Sequence, residues 1–141
     1  HYAIPGALRL VRDNNSMLVG WTLNPNTGHH YKRVSCGTWK ECESKAVAEG
    51  AHLVTINSAE ENTWLIQTFG SDYLWIGFTD ENSEGNWRWV SGEAVTYTNW
   101  ADGEPNNLYI EKQSHFTDGG KWNDLDGDRT EYTTDAIWEK N

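Results

Sequence analysis

The sequence predicts an α+β fold, and three observations point to it. Residues 38–50 and 58–70 each carry helix signals with a start and a stop. After Gly70 the apolar period changes from helical to strand-like and stays so. The two helices are therefore segregated from most strands along the chain, rather than alternating with them as in an α/β protein. At 141 residues the chain is expected to be mainly one domain with a substantial core.

Taken in order, residues 1–27 read as an N-terminal extension, a strand or a linker, with a strand-like run at Ala7-Leu8-Arg9-Leu10-Val11. The cluster Asn24-Pro25-Asn26-Thr27-Gly28 marks a turn, and the main domain is assigned to 28–141. Tyr31 to Ser35 reads as a strand. Thr38 with Glu41 forms a capping box, apolar residues follow at helical spacing, and Gly50 ends the helix. Leu53 to Ile56 is a short buried strand. Ser58 with Glu61 repeats the capping signature, and Gly70 closes the second helix. Tyr73 to Phe78 and Trp87 to Val90 read as strands. Gln113 to Phe116 and Lys121-Trp122 flank the turn Asp118-Gly119-Gly120 as a hairpin, and Ala136 to Glu139 is a last strand. Between Val95 and Gln113 lies a long Asn/Gly/Pro-rich stretch without periodicity, and loops of that length in compact domains tend to be functional or disordered.

Composition narrows the function. Nine Trp and six Tyr let a core be built from few, large side chains whose N–H and O–H groups need partners. The net charge of −10 argues against nucleic acid, where Lys and Arg must neutralise phosphates, and against an anionic membrane surface. No apolar run is long enough to span a bilayer. Cys36 and Cys42 could be bridged or both free. Asn14-Asn15-Ser16 fits a glycosylation acceptor.

The acidic residues concentrate between Asp80 and Glu131. Ca²⁺ takes six to eight hard oxygen ligands from carboxylates and amide carbonyls. The stretch Asp102-Gly-Glu-Pro-Asn-Asn-Leu-Tyr-Ile-Glu111 supplies Glu104, Asn106, Asn107 and Glu111, and Asn123 and Asp124 follow the hairpin turn. Neither segment suffices alone. Zn²⁺ fits less well, because it prefers Cys and His, and the His residues read as structural or exposed. The run Asp124 to Asp128 is not an EF-hand loop, since Arg129 stands where that loop needs Gly.

Trp75-Ile76-Gly77, Glu104-Pro105-Asn106 and Trp122-Asn123-Asp124 occur in the order and approximate spacing of the C-type lectin-like domain. From about residue 28 onward the chain resembles that family, mannose-type, with Gly50 to Ile56 and Trp87 to Val90 adding to the likeness. The resemblance implies two helices with mixed, mostly antiparallel sheets and a long Ca²⁺-binding loop. It also implies a cis Glu104–Pro105 bond, and Glu104, Asn106, Glu111, Asn123 and Asp124 as ligands of one Ca²⁺ and of a sugar. Leu108 and Tyr109 would form the lip of that site. Asp80, Glu84 and Asn107 match an auxiliary metal site, which Lys112 opposes by its charge. By the same resemblance Ala46, Trp138 and Gln113 occupy positions where most animal members carry bridged cysteines.

The function so implied is Ca²⁺-dependent binding of glycans with equatorial vicinal hydroxyls, of mannose, fucose, glucose or N-acetylglucosamine type. Each hydroxyl can bind the ion, donate to a carboxylate and accept from an amide. An extracellular place, secreted or at the cell surface, follows from that reading, and oligomerisation is left open. An enzyme is not expected: paired carboxylates can hydrolyse glycosides, but here a metal claims them, and no nucleophile–base pair stands out. The rival is a Ca²⁺-stabilised adhesin module that binds protein or ice.

Overall fold

A computed structural model describes residues 18–106 and 111–141. The expected strand at Ala7–Val11 and the acceptor Asn14 lie outside these residues, as do Asn107, Leu108 and Tyr109. Among the described residues the architecture is α+β. The strands are β1 (Thr22–Leu23), β2 (His30–Ser35), β3 (His52–Leu53), β4 (Leu74–Thr79), β5 (Arg88–Trp89), β6 (Gln113–Phe116), β7 (Trp122–Leu125) and β8 (Asp135–Lys140). The helices are α1 (Trp39–Ala48) and α2 (Ala59–Phe69). The strands join in the order β1-β2-β8-β4-β6-β7, with β3 on β8 and β5 on β4. All pairs are antiparallel except β4 with β8.

Both helices start where the sequence says they should. Thr38 Oγ1 accepts from Glu41 N at 3.2 Å and Glu41 Oε1 accepts from Thr38 N at 3.0 Å, a reciprocal box. The second box is only half made. Ser58 Oγ accepts from Glu61 N at 3.1 Å, but the Glu61 carboxylate turns away to Asn57 N (2.9 Å) and to the Tyr31 hydroxyl (2.6 Å). A tertiary partner has outcompeted the local one. Gly70, with φ of 97°, ends α2 as expected.

Several strands differ in extent from their sequence pattern. Only His52–Leu53 of the apolar run to Ile56 pairs as strand, although Val54 N still donates to Ile137 O at 2.9 Å. Trp87 to Val90 contributes Arg88–Trp89 alone, and β7 runs on from Trp122 to Leu125. Thr22–Leu23 pairs with His30–Tyr31 across the Asn24–Gly28 turn, so the sheet begins six residues before residue 28. Two exposed residues carry no periodic signal, and this strand was not legible.

Cys36 and Cys42 are joined by a disulfide, which closes the alternative that sequence left open. Ala46 and Trp138 pack in the same buried cluster. Gln113 Oε1 accepts from Gly127 N at 3.1 Å. Apolar packing and a hydrogen bond thus stand where the resemblance would put bridges.

The larger core cluster positions the long loop. Phe78, Trp89 and Trp122 are essentially fully buried and pack with centroids 4.3–5.6 Å apart. Trp122 Nε1 donates to Asn62 Oδ1 at 2.9 Å, tying β7 to α2. Its backbone holds the loop: Trp122 N donates to Asn99 O at 2.9 Å and accepts at O from Ala101 N at 2.8 Å. Trp100 packs on Trp122 at 6.0 Å. The loop is therefore anchored against the residue that precedes Asn123 and Asp124.

Candidate functional site

Three of the expected ligands come together as a result. The Glu104–Pro105 bond is cis. The Asn106 backbone N–H donates both to Glu104 Oε1 at 3.1 Å and to Asp124 Oδ1 at 3.2 Å. Asn106 Nδ2 lies 3.5 Å from Glu104 Oε2. One backbone amide thus binds carboxylates from two segments 20 residues apart in sequence.

The electrostatics are those of crowded anions. Asp124 is fully buried. Burial, then the hydrogen bond and charge of Asp124, push the Glu104 carboxyl from the usual 4.5 up to about 7. Glu111 adds to the repulsion, which places its charge within reach of the same cluster. Two carboxylates in contact share a proton or a cation, because both cannot ionise at low cost.

Asn123 sits differently. Along β7, Trp122 and Asp124 are buried while Asn123 and Leu125 are half-buried, as strand alternation requires. The Asn123 side chain meets His115, with Nδ2 3.3 Å from Nε2. One N–H of its amide is engaged there, which leaves the second N–H and the carbonyl oxygen to other partners. Among the described residues no three His, Cys, Asp or Glu side chains are grouped closely enough to hold a metal ion. An ion at this site needs the amide oxygens of Asn106 and Asn123 beside the carboxylates, which is the donor set the sequence offers.

The auxiliary positions are half consistent with a cation. Asp80 is fully buried; Oδ2 accepts from Gly85 N at 2.8 Å, and Oδ1 has no hydrogen-bond partner. Burial raises the Asp80 carboxyl, and the neighbouring Glu84 charge adds to that. Lys112 Nζ, however, reaches Glu84 Oε1 at 3.1 Å and so brings its own positive charge to the place. The half-exposed Glu84–Lys112 pair is worth little as an isolated salt bridge, yet it neutralises what a second ion would need.

His115 is a contact that sequence reasoning passed over. It is buried, Nδ1 bonds Thr133 Oγ1 at 2.7 Å, and burial lowers its pKa to about 4. Counting register across the Asp118–Gly120 turn pairs His115 with Asn123, and that count was the available signal.

Among the described residues, two helices, a mixed sheet and a loop of clustered carboxylates and amides have the make-up of a binding domain. The family model described as the Lectin C-type domain matches residues 35–133. The chain belongs to that family, in which carbohydrate binding is typical and which is not a family of enzymes. It is 36% identical over 104 residues, 73% of its length, to C-type lectin domain family 17, member A of Homo sapiens, of which it covers 28%. The chain spans between 13% and 61% of the length of the curated relatives it matches. The carbohydrate-recognition domain of mouse scavenger receptor C-type lectin superposes with a TM-score of 0.77 at 31% identity, covering 86% of this chain and 94% of that one. A calcium-independent type II antifreeze protein superposes with the same TM-score at 27% identity, covering 86% and 91%.

Proposed function

We propose that this domain binds glycans with equatorial vicinal hydroxyls through a Ca²⁺ held by Glu104, Asn106, Glu111, Asn123 and Asp124. The observation that carries the reading is the Glu104–Asp124 pair. Two carboxylates are pressed together against one backbone amide, and the pair is costly unless a cation or a proton neutralises it. Ca²⁺ accepts such oxygen-rich, flexible sets. When bound, the ion supplies open coordination positions for two sugar hydroxyls. The chain itself orients them: the carboxylates of Glu104 and Glu111 accept the hydroxyl protons, and the amides of Asn106 and Asn123 donate to the hydroxyl oxygens. The Glu104-then-Asn106 order sets which side of the diol meets an acceptor. Leu108 and Tyr109 would border the sugar. Asp80, Glu84 and Asn107 complete an auxiliary site only if Lys112 is displaced, so one ion is proposed. The domain would act extracellularly on glycoconjugates; no described helix is long and apolar enough to cross a membrane.

A second reading keeps the fold without the sugar. The likeness to a calcium-independent antifreeze protein supports it, as a surface for protein or ice. Glycan-array binding with and without EDTA separates the two. Binding to mannose-type glycans is expected to vanish in EDTA, and Glu104→Gln with Asn106→Asp is expected to shift preference from mannose towards galactose. Sugar binding that survives complete Ca²⁺ removal in full sinks the metal-mediated mechanism.

A further inference from the structure

On the Asn123 face of β7 the structure holds a cleft of about 190 Å³, of whose lining residues the proposed site uses Asn123 alone. Its walls are Tyr73 and Tyr132, and Thr117, Asn123 and Leu125 line it over the His115 ring. The two tyrosines are 42% and 61% exposed, whereas no other Trp, Tyr or Phe among the described residues is exposed. Exposed they are, but not loose. Tyr73 stacks on buried His115 with centroids 5.3 Å apart and planes 28° apart. Tyr132 meets Tyr73 edge-on at 6.4 Å and 83°. Thr133, the residue after Tyr132, is fully buried and bonded to His115 Nδ1. One covered histidine therefore fixes Tyr73 directly and Tyr132 through Thr133. Aromatic side chains have two rotatable bonds and lose little entropy on contact, so a held and exposed ring is ready to bind.

The chemistry of the cleft selects its occupant. It joins aromatic faces to neutral groups that both donate and accept, namely hydroxyls and an amide, and no charged side chain lines it. A pyranose has the complementary surface: an apolar C–H face and a rim of hydroxyls. A cleft this small holds one such ring. Asn123 lines the cleft and is one of the proposed Ca²⁺ ligands, so on that reading the cleft borders the ion's sugar and can take the next residue of the same glycan.

We propose that Tyr73 and Tyr132 frame a second saccharide subsite, which takes one pyranose by stacking on Tyr132 and needs no metal ion. Its place beside the first sugar rests on the Ca²⁺ reading above; its stacking chemistry does not. The test uses the whole chain, with methyl mannoside and mannobiose as probes. In Ca²⁺, Tyr132→Ala is expected to weaken mannobiose about fivefold while leaving methyl mannoside unchanged, and Tyr132→Phe is expected to retain the wild-type ratio, since the ring does the binding. In EDTA, millimolar mannobiose is expected to shift the backbone amide signals of Thr117, Tyr132 and Thr133 but not those of Glu104 and Asn106. Absence of those shifts, or equal effects of Tyr132→Ala on both sugars, overturns the subsite. Shifts that persist in EDTA when Ca²⁺ adds no affinity would leave the subsite standing and overturn the metal reading instead.

Discussion

Glu104 shows how far a single residue's behaviour depends on its surroundings. As a type it is a surface carboxylate; against Asp124 it titrates near 7. On the proposed reading, protons and Ca²⁺ compete for it. A carboxylate with this pKa in the metal-free protein predicts that Ca²⁺ affinity falls as pH drops below about 7, reaching roughly a tenfold loss at pH 6. Calcium titrations by calorimetry between pH 6 and 8 check this, and a loss beginning only near pH 5 would contradict it. His115 works in the opposite sense. Its folded pKa of about 4 lies below the unfolded 6.5, so the folded state binds fewer protons. The stability it contributes is fully present above pH 6.5 and is lost as pH falls towards 4, up to about 3 kcal/mol. Urea unfolding across that range should show the loss, and His115→Gln should flatten it. At this scale the sequence named Glu104, Asn106 and Asp124, because residue types and order carried the resemblance. It could not show that Asn123 engages His115, which depends on which face of β7 each residue takes.

Among the elements, the caps were legible because they are local: Thr38 with Glu41 closes within four residues. The half-made box at Ser58 was not, because Tyr31, 30 residues away, takes the Glu61 carboxylate. Strand extents failed for the same reason, since pairing is set by partners remote in sequence. Gly77 is a clear case. It lies in β4 with ordinary backbone angles, yet its N–H donates to Val54 O and its carbonyl accepts from Val90 N, at 2.9 and 2.8 Å. A Cβ there would fall 2.6 Å from Leu53 O and 2.9 Å from Val54 O, both backbone atoms that cannot step aside cheaply. Gly77→Ala is therefore expected to cost on the order of 1–3 kcal/mol in urea unfolding. A neutral result would mean the β3–β4 junction is softer than its hydrogen bonds imply. In Trp75-Ile76-Gly77, the glycine is thus a requirement of three backbones meeting.

For the whole molecule, the question is what holds a loop-rich domain together. The buried Trp and Phe cluster does most of it, with Trp122 linking α2, β7 and the long loop. The Cys36–Cys42 bridge spans only six positions, so it constrains little of the unfolded chain. The double substitution to Ala is expected to cost about 2 kcal/mol. Thermal unfolding with and without reductant measures it, and complete unfolding on reduction would show that the aromatic core is weaker than its packing implies.

Reading the chain as a string was enough for the fold class, the helix starts, the family likeness and the two segments whose carboxylates and amides meet. Those depend on residue type, local spacing and order, which survive without coordinates. It took the folded chain to show that Glu104 and Asp124 press against one amide, that Lys112 answers Glu84, that the two cysteines join, and that two exposed tyrosines stand fixed over His115. Each of these is a meeting of distant or alternating side chains, and contact across space is what a linear pattern does not encode.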